Sequence, residues 1–485
     1  MSKNTLLTMS LSLSALLVAC SSPSGITTQS RDFKSPTQWS NVHLNAKETE
    51  QLDNSIVAVD DWLRNFEDIK LIRLTEKSLS KNFQLKASAI DVAIAEQRLN
   101  ISESTDWPAL DLAFSGQRRK SIVSGNELYT TDYDLSLNLS YELDLWGKLS
   151  DQQQQDQLDY LAANLRYEDD KNNLVASVAS AWFNLQEAQQ LALLFEERAR
   201  NLEHNLELIQ ASYRLGLNQA LDIYLSQNDV SRELARVEEQ RQKVLENKRS
   251  LEILLGDFPS SAITAPSELP RINSKIATGL PSDLLTRRKD IQALWYELLA
   301  LDAGLAVAHK QRFPRIALSA STGTSAPDLS DLLDADALAW SLLGNVTTPL
   351  FDAGRLSSLE ETARLQVVKQ EQNYLLAVHN AFAEVENAIS NRAALLSRYH
   401  YFVDARENAL EAESLSFNQY MKGIVSYSAV LESQRRAFDA QTNVIQLTNQ
   451  LLQNRIQLHI ALGGSFEEVA EQSNTAAINQ SDTDA

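Results

Sequence analysis

Three kinds of side chain in this sequence could do chemistry: six histidines, runs of adjacent carboxylates and a single cysteine. The histidines stand at His43, His204, His309, His379, His400 and His459. None has the His-Glu-x-x-His spacing that puts two imidazoles on one helix face for zinc, and neither a G-x-S-x-G elbow nor a P-loop is present. The adjacent acids Asp169-Asp170 and Glu196-Glu197 lie in polar stretches without breakers and read as solvated helix faces. One cysteine excludes an internal disulfide framework and a Cys-based zinc cluster, since each takes at least two sulfurs from one chain. No catalytic residue, metal ligand or cofactor is assigned, and an enzyme is not expected. The cysteine, Cys20, is left to be read from its sequence context.

Cys20 ends the tetrapeptide Leu17-Val18-Ala19-Cys20, which follows Lys3 and the apolar stretch Leu6 to Val18. A charged start, a short apolar segment and small residues before a cut predict a secretory signal over residues 1–19 rather than a spanning helix. The tetrapeptide resembles the bacterial lipobox, in which the cysteine receives a diacylglycerol and becomes the first mature residue. Ser21, where inner-membrane lipoproteins carry Asp, points to the outer membrane. Acyl chains contribute roughly 0.8 kcal/mol per buried CH₂, so several together anchor firmly. Residues 20–60 read as a lipidated tether rich in Ser, Thr, Pro and Gln.

The elements behind this anchor are marked out by the breakers. The chain has 485 residues, only 14 Gly and 10 Pro, and a net charge of −20 that argues against nucleic acid as a partner. Its mature part has no run near the roughly 20 consecutive apolar residues of a membrane-spanning helix, so any membrane contact must be made by strands or lipid. Gly147 and Gly354, Gly216 and Gly423, and Gly256 and Gly463 are each 207 residues apart. Lys148 to Leu215 and Arg355 to Lys422 are 68-residue runs without Gly or Pro; Leu217 to Leu255 and Ile424 to Leu462 are 39-residue runs. Tyr213 matches Tyr420, and Ser226-Gln227 matches Ser433-Gln434. This is a tandem duplication. The runs are rich in Ala, Leu, Glu, Gln and Arg and predict helical hairpins over 148–255 and 355–462. Val178, Ala181, Leu185, Ala188, Ala192, Phe195, Ala199, Leu202, Leu206, Ile209 and Tyr213 alternate steps of 3 and 4, a heptad seam. In the second copy Arg392 and Arg406 interrupt it. At 1.5 Å per residue, each longer run reaches roughly 100 Å, more than one globular domain needs.

Before each long helix lie two segments of period two. From Tyr133 to Leu145 every odd residue is apolar and every even one polar, and 107–117 places Leu110, Leu112 and Phe114 on one face against Asp111 and Ser115. The second copy repeats this more weakly over 314–322 and 338–350, with Ile316, Leu318, Leu338, Trp340, Leu342 and Val346 outward. Loops are expected near Arg118 to Thr131 and Ser325 to Asp336. Such lengths suit tilted membrane strands of about 9–11 residues. Trp107, Trp146, Phe313 and Phe351 mark the helix-proximal ends and predict an interfacial aromatic girdle. Four strands cannot close a barrel, and an open edge in lipid leaves backbone groups unpaired, so the chain must oligomerise; three copies would supply twelve strands.

Leu143-Asp144-Leu145-Trp146-Gly147-Lys148, Pro349 to Arg355, Tyr213-Arg214-Leu215-Gly216-Leu217 and Ala461-Leu462-Gly463-Gly464, with Trp107-Pro108, Phe313-Pro314 and the lipobox, resemble the TolC-like outer-membrane efflux family, in its lipoprotein branch. The likeness runs from about Trp62 to Phe466. It implies a mainly α chain with membrane β: a homotrimeric 12-stranded outer-membrane barrel, four strands per chain, continuous with a long periplasmic α-helical barrel. The domains would be a first repeat at 61–256, an equatorial linker at 257–285, a second repeat at 286–466 and a disordered tail at 467–485. The implied function is passive conduction outward, with a periplasmic adaptor and an inner-membrane pump of the resistance–nodulation–division type as partners. Other readings are a type I protein secretion duct and a non-conducting lipoprotein spacer. The hairpin turns would gate the tunnel and dock the adaptor; the matching residues are Tyr213, Gly216, Leu217, Asp222, Tyr420, Gly423 and Glu432. Asp222 and Tyr420 match positions that hydrogen-bond between hairpins in some members and would form a closed-state latch. The chain departs from the family at Ala429, where some members place Asp, which leaves Glu432 as the candidate for a cation-favouring carboxylate ring.

Overall fold

The computed structural model describes residues 24–27, 36, 38–40, 56–57, 62–123, 126–270, 275–276, 281–334 and 338–464. The signal segment, Cys20, most of the expected tether and the tail 467–485 lie outside the described residues. Seven helices carry most of what is described: α1 (Ile69–Lys81), α2 (Phe83–Glu103), α3 (Lys148–Arg214), α4 (Ala220–Leu254), α5 (Lys289–Lys310), α6 (Arg355–Met421) and α7 (Tyr427–Ala461). The strands are β1 (Ile56–Val57), β2 (Ala109–Val123), β3 (Asn126–Leu143), β4 (Lys275–Ile276), β5 (Arg315–Ala326) and β6 (Ala339–Thr347). The long helices α3 and α6 have 67 residues each, and their partners α4 and α7 have 35 each. All six repeat-related glycines have positive φ, so the duplication extends to the backbone. At Gly256 a Cβ would also lie 2.6 Å from the Lys81 carbonyl oxygen, which combines a left-handed turn with a close approach that only glycine allows.

The chain forms two compact units. One takes in the described residues within 1–33, 90–165 and 291–377; the other takes in those within 34–89, 166–290 and 378–464. In the second, Trp62, Phe66, Trp182, Phe183, Leu185, Leu251 and Leu452 belong to one buried cluster. Asp68 ties it together. Its Oδ1 accepts the N–H groups of Lys70 and Leu71 as the N-cap of α1, and its Oδ2 accepts the Trp182 indole N–H at 2.7 Å. At the other end of α1, Ser78 Oγ and Asn82 Nδ2 donate to the Leu254 carbonyl, which α4 leaves without an intrahelical partner. The buried Glu252 accepts from the Ser261 and Ile263 N–H groups and holds the following segment against the core. Along α3 the heptad seam is buried at Val178, Leu185, Ala188, Ala199, Leu202 and Ile209.

Of the two adjacent acids, Asp170 is exposed, as a solvated face would have it, whereas Asp169 is half-buried. Asp170 accepts the Ser88 hydroxyl at 2.5 Å, and burial followed by the charge of Asp290 pushes Asp169 up to about 6. Arg288 holds Asp290 at 2.7 Å and also pairs with Glu384, so Asp169 lies beside a cation already committed elsewhere.

In the first unit the strands form one antiparallel sheet in the order β2-β3-β5-β6. The ladders pair Leu112 with Leu137, Leu137 with Thr322 and Thr322 with Trp340, and the next outward row is Leu110, Leu139, Ala320 and Leu342. Residues directly opposite share a face. The alternation in each strand is thereby brought into a common register, which makes one apolar face and a second face of Asp111, Asn138, Ser321 and Ser341. On the polar face, Ser321 and Ser341 hydroxyls meet at 2.8 Å.

The strand limits differ from those read off the sequence. Most of the expected loop from Arg118 to Thr131 is strand, with Arg118 opposite Thr131 and Lys120 opposite Tyr129. Polar residues continue a ladder when its backbone groups find partners, whatever the side chains are. β5 extends through Ser and Thr residues to Ala326, and the expected loop beyond it holds a 3-10 turn, Leu329–Leu333, whose Leu332 carbonyl accepts the Thr324 hydroxyl. β6 stops at Thr347, before Pro349, which has no N–H to donate. β3 stops at Leu143, where Leu145 N–H turns back to the Leu143 carbonyl.

By length and composition α5 could cross a membrane. Its apolar residues are spent on packing: Leu298 and Leu305 form a buried cluster with Val367, and its Asp302 accepts from Ser24 and the Gly25 N–H.

Candidate functional site at the hairpin turns and the sheet face

Both hairpin turns are built by the same capping chemistry. Gly216 N–H donates to the Tyr213 carbonyl and Leu217 N–H to Ser212; Gly423 N–H donates to Tyr420 and Ile424 N–H to Gln419. With each glycine at positive φ, this is the Schellman pattern that ends a helix and reverses the chain. The side chains around the first turn are apolar and exposed: Leu215, Leu217, Leu221 and Tyr224 all face solvent.

The repeat-related tyrosines have different surroundings. Tyr213 is 45% exposed, whereas Tyr420 is 5% exposed and packs with Ile209, Tyr427 and Val430. The Tyr420 hydroxyl donates to Asp222 Oδ2 at 2.9 Å. Asp222 lies in the first turn of α4 and Tyr420 in the last turn of α6, so one bond joins the two hairpins. Burial, reinforced by the Asp222 carboxylate, pushes the Tyr420 phenol well above its ordinary value and keeps it a donor. A hydrogen bond to a charged acceptor is worth about 1.5–3 kcal/mol.

Glu432 is not a bare carboxylate. It accepts from Arg435 at 2.9 Å and Arg436 at 2.7 Å, and these bonds hold it down to about 2. Arg435 also reaches Asp439 at 3.0 Å. These pairs border a cleft of about 390 Å³ between α3, α4 and α7.

Sequence reasoning missed the charge at the back of that cleft. Arg198 on α3 sits 4.0 Å from the ring centroid of Phe438 on α7 and 3.4 Å from Glu233 on α4, which is 2% exposed and also meets Arg236 at 3.5 Å. Burial pushes Arg198 down and Glu233 up, and each opposes that shift in the other. The only sequence signal was an arginine within the heptad region; its partners lie on other helices.

The aromatics expected as a girdle separate into two pairs. Trp107 and Phe351 are exposed. Trp146 and Phe313 are half-buried and pack edge to face at 5.7 Å, and the Trp146 indole donates to the Pro314 carbonyl at 2.7 Å, so they join the ends of β3 and β5. Asp144 caps α3 through the N–H groups of Leu149 and Ser150, and Asp352 caps α6 through Leu356. Among the described residues no group of three or more His, Cys, Asp or Glu is placed to hold a metal ion.

A family described as outer membrane efflux protein matches residues 74–257 and 280–464. The solvent efflux pump outer membrane protein SrpC of Pseudomonas putida is 28% identical over 410 residues, 83% of this chain and 86% of its own. The probable outer membrane lipoprotein SilC of Salmonella typhimurium is 26% identical, over 84% of this chain and 88% of its own. The crystal structure of the Campylobacter jejuni CmeC outer membrane channel superposes with a TM-score of 0.82 at 22% identity, over 90% of this chain and 94% of its own, which shows a shared fold.

Proposed function

Because this chain belongs to the outer membrane efflux protein family, and is an outer-membrane channel subunit of that efflux class, we propose that three copies close the four-stranded sheet into a twelve-stranded barrel and conduct substrates passively. The observation that carries this reading is the sheet itself. It has one apolar face and one polar face in common register, and among the described residues its outer strands β2 and β6 each have one edge with no strand beside it. In lipid those edges require partners, which only further strands supply.

Energy for export then comes from outside the chain, through a periplasmic adaptor and an inner-membrane pump. The exposed apolar residues at the first turn are suited to an adaptor, and the Tyr420–Asp222 bond to holding the two hairpins in the closed state. With Glu432 tied to two arginines, a carboxylate ring at that position is weak, and Asp222 is the carboxylate that matters at the turns. Cys20 carries the lipid in this reading; SilC, a relative of similar length, is named as a lipoprotein.

The test is ion conductance of the purified protein in a planar bilayer. Discrete conducting events are expected, rarer or smaller in the native chain than in one with its turns unlatched. A protein that never conducts in either form removes the channel reading.

A further inference from the structure

The hairpin of β2 and β3 continues past the four-stranded part of the sheet. The last pair between β3 and β5 is Tyr133 with Ala326, whereas β2 and β3 stay paired to Val123 and Asn126. On the apolar face the rows nearest the helices are Leu143, Tyr141 and Leu139, followed by Leu137, Leu135 and Tyr133, with Leu110, Leu112 and Phe114 beside them. From Leu143 to Tyr133 the strand runs roughly 33 Å at about 3.3 Å per residue. Tilted by about 40°, that spans about 25 Å along the membrane normal, the height of the apolar band of a membrane barrel.

The next residues on the same face are Arg118 and then Lys120, with Thr131 and Tyr129 opposite. The change from hydrocarbon-like to cationic is abrupt. Arg118 lies 5.5 Å and Lys120 5.6 Å from the Tyr129 ring centroid, so an aromatic platform carries both cations. Lys120 is also paired with Glu127, whose other oxygen accepts the Tyr129 hydroxyl at 3.1 Å. That leaves the planar guanidinium of Arg118 as the main cation of the rim. Arg119, its neighbour in sequence, points to the polar face.

From this placement we propose that Arg118, assisted by Lys120 and Tyr129, is a contact site for the anionic phosphate of a glycolipid headgroup in the outer leaflet. The proposal rests on the outer-membrane reading above. The hairpin end is the end of the strands away from α2 and α3, so if the helices are periplasmic, this rim is at the outer leaflet. A guanidinium presents two parallel donors to phosphate oxygens, a geometry that a lone ammonium lacks. The exposed phenol of Tyr129 is of the type that settles at a headgroup layer. The occupant is a lipid rather than free phosphate because the cations stand at the border of an apolar band, where an acyl chain and a headgroup are engaged together.

The experiment measures binding of diphosphoryl lipid A, and of the same lipid stripped of phosphate, to the full-length protein in detergent, by native mass spectrometry. The native chain should retain the phosphorylated lipid. Arg118→Ala should weaken this about fivefold and the double variant with Lys120→Ala somewhat more, at about a factor of five per basic residue near an anionic surface. Arg118→Lys should recover only part of the loss, and Arg119→Gln, on the opposite face, should change nothing. Equal retention of the dephosphorylated lipid, an unchanged Arg118→Ala, or an equal loss in Arg119→Gln would each overturn the proposal. Conductance of the same preparations separates the two readings: channels that conduct without headgroup preference sink this inference alone, whereas protein that never conducts sinks the outer-membrane channel reading.

Discussion

At the residue scale, what matters is the different use of matched positions. Tyr213 and Tyr420 occupy the same place in the two repeats, yet only Tyr420 is buried and bonded to Asp222. Single-channel conductance should therefore rise in Tyr420→Phe and in Asp222→Ala, while Tyr213→Phe leaves it as it was; three unchanged channels would remove the latch. Asp169 provides a second test, with a defined sign. Its folded value of about 6 is above the ordinary 3.8, so the folded chain holds a proton that the unfolded chain has released. Its contribution is most favourable below about pH 4 and is lost as pH rises through 6. Asp169→Asn should thus be more thermostable than the native chain at pH 7 and no better at pH 4. A gain of the same size at both pH values contradicts the burial argument. The breaker positions and tyrosines were legible in the sequence; the asymmetry between them was not, because it depends on which helix packs over each ring.

At the scale of elements, glycines follow the four hairpin helices α3, α4, α6 and α7, and carboxylates cap the starts of α1, α3 and α6. All six repeat-related glycines have positive φ, but their surroundings differ. At Gly216 an added Cβ meets nothing within 4 Å, whereas at Gly256 it meets the Lys81 backbone at 2.6 Å. Gly216→Ala should cost only the backbone penalty, about 1 kcal/mol. Gly256→Ala should cost about 2–4 kcal/mol, since overpacking adds to that penalty. Thermal unfolding of the two variants checks this, and equal losses would mean that the close approach is easily relaxed. The helix runs could be read from composition and the missing breakers. Strand ends could not, because Arg118, Lys120 and Thr131 have the composition of a loop and are kept in the ladder by backbone partners on the facing strand.

At the scale of the whole molecule, the four-stranded sheet is an incomplete object. In the proposed channel its apolar face meets lipid, and the edges of β2 and β6, which no described strand covers, need strands. If copies close a barrel, β2 of one chain lies beside β6 of the next. A cysteine introduced at Leu112 together with a set placed in turn at Trp340, Leu342 and Gly344, in a Cys20→Ser background, should include one pair that oxidises to covalent trimers. A ladder that stops at dimers, or chains that never crosslink, would contradict threefold closure. The charge cluster of Arg198, Glu233 and Arg236 belongs to this scale as well, since it joins α3 and α4 beside the Phe438 ring of α7. No window of sequence contains all of its members.

The sequence by itself determined what is periodic: the 207-residue duplication, the helical runs, the alternating strands and the glycines that end the four hairpin helices. Those follow from steric and hydrophobic preferences that act over a turn or two of chain. The tertiary structure alone decided the cross-strand register that unites four alternating patterns into two faces, the choice of Tyr420 over Tyr213 as the partner of Asp222, and the burial of Arg198 against Glu233. In each case the partner lies on another element, 35 or more residues away for the β3–β5 ladder, Tyr420 and Arg198, beyond the reach of local periodicity, and packing selects it.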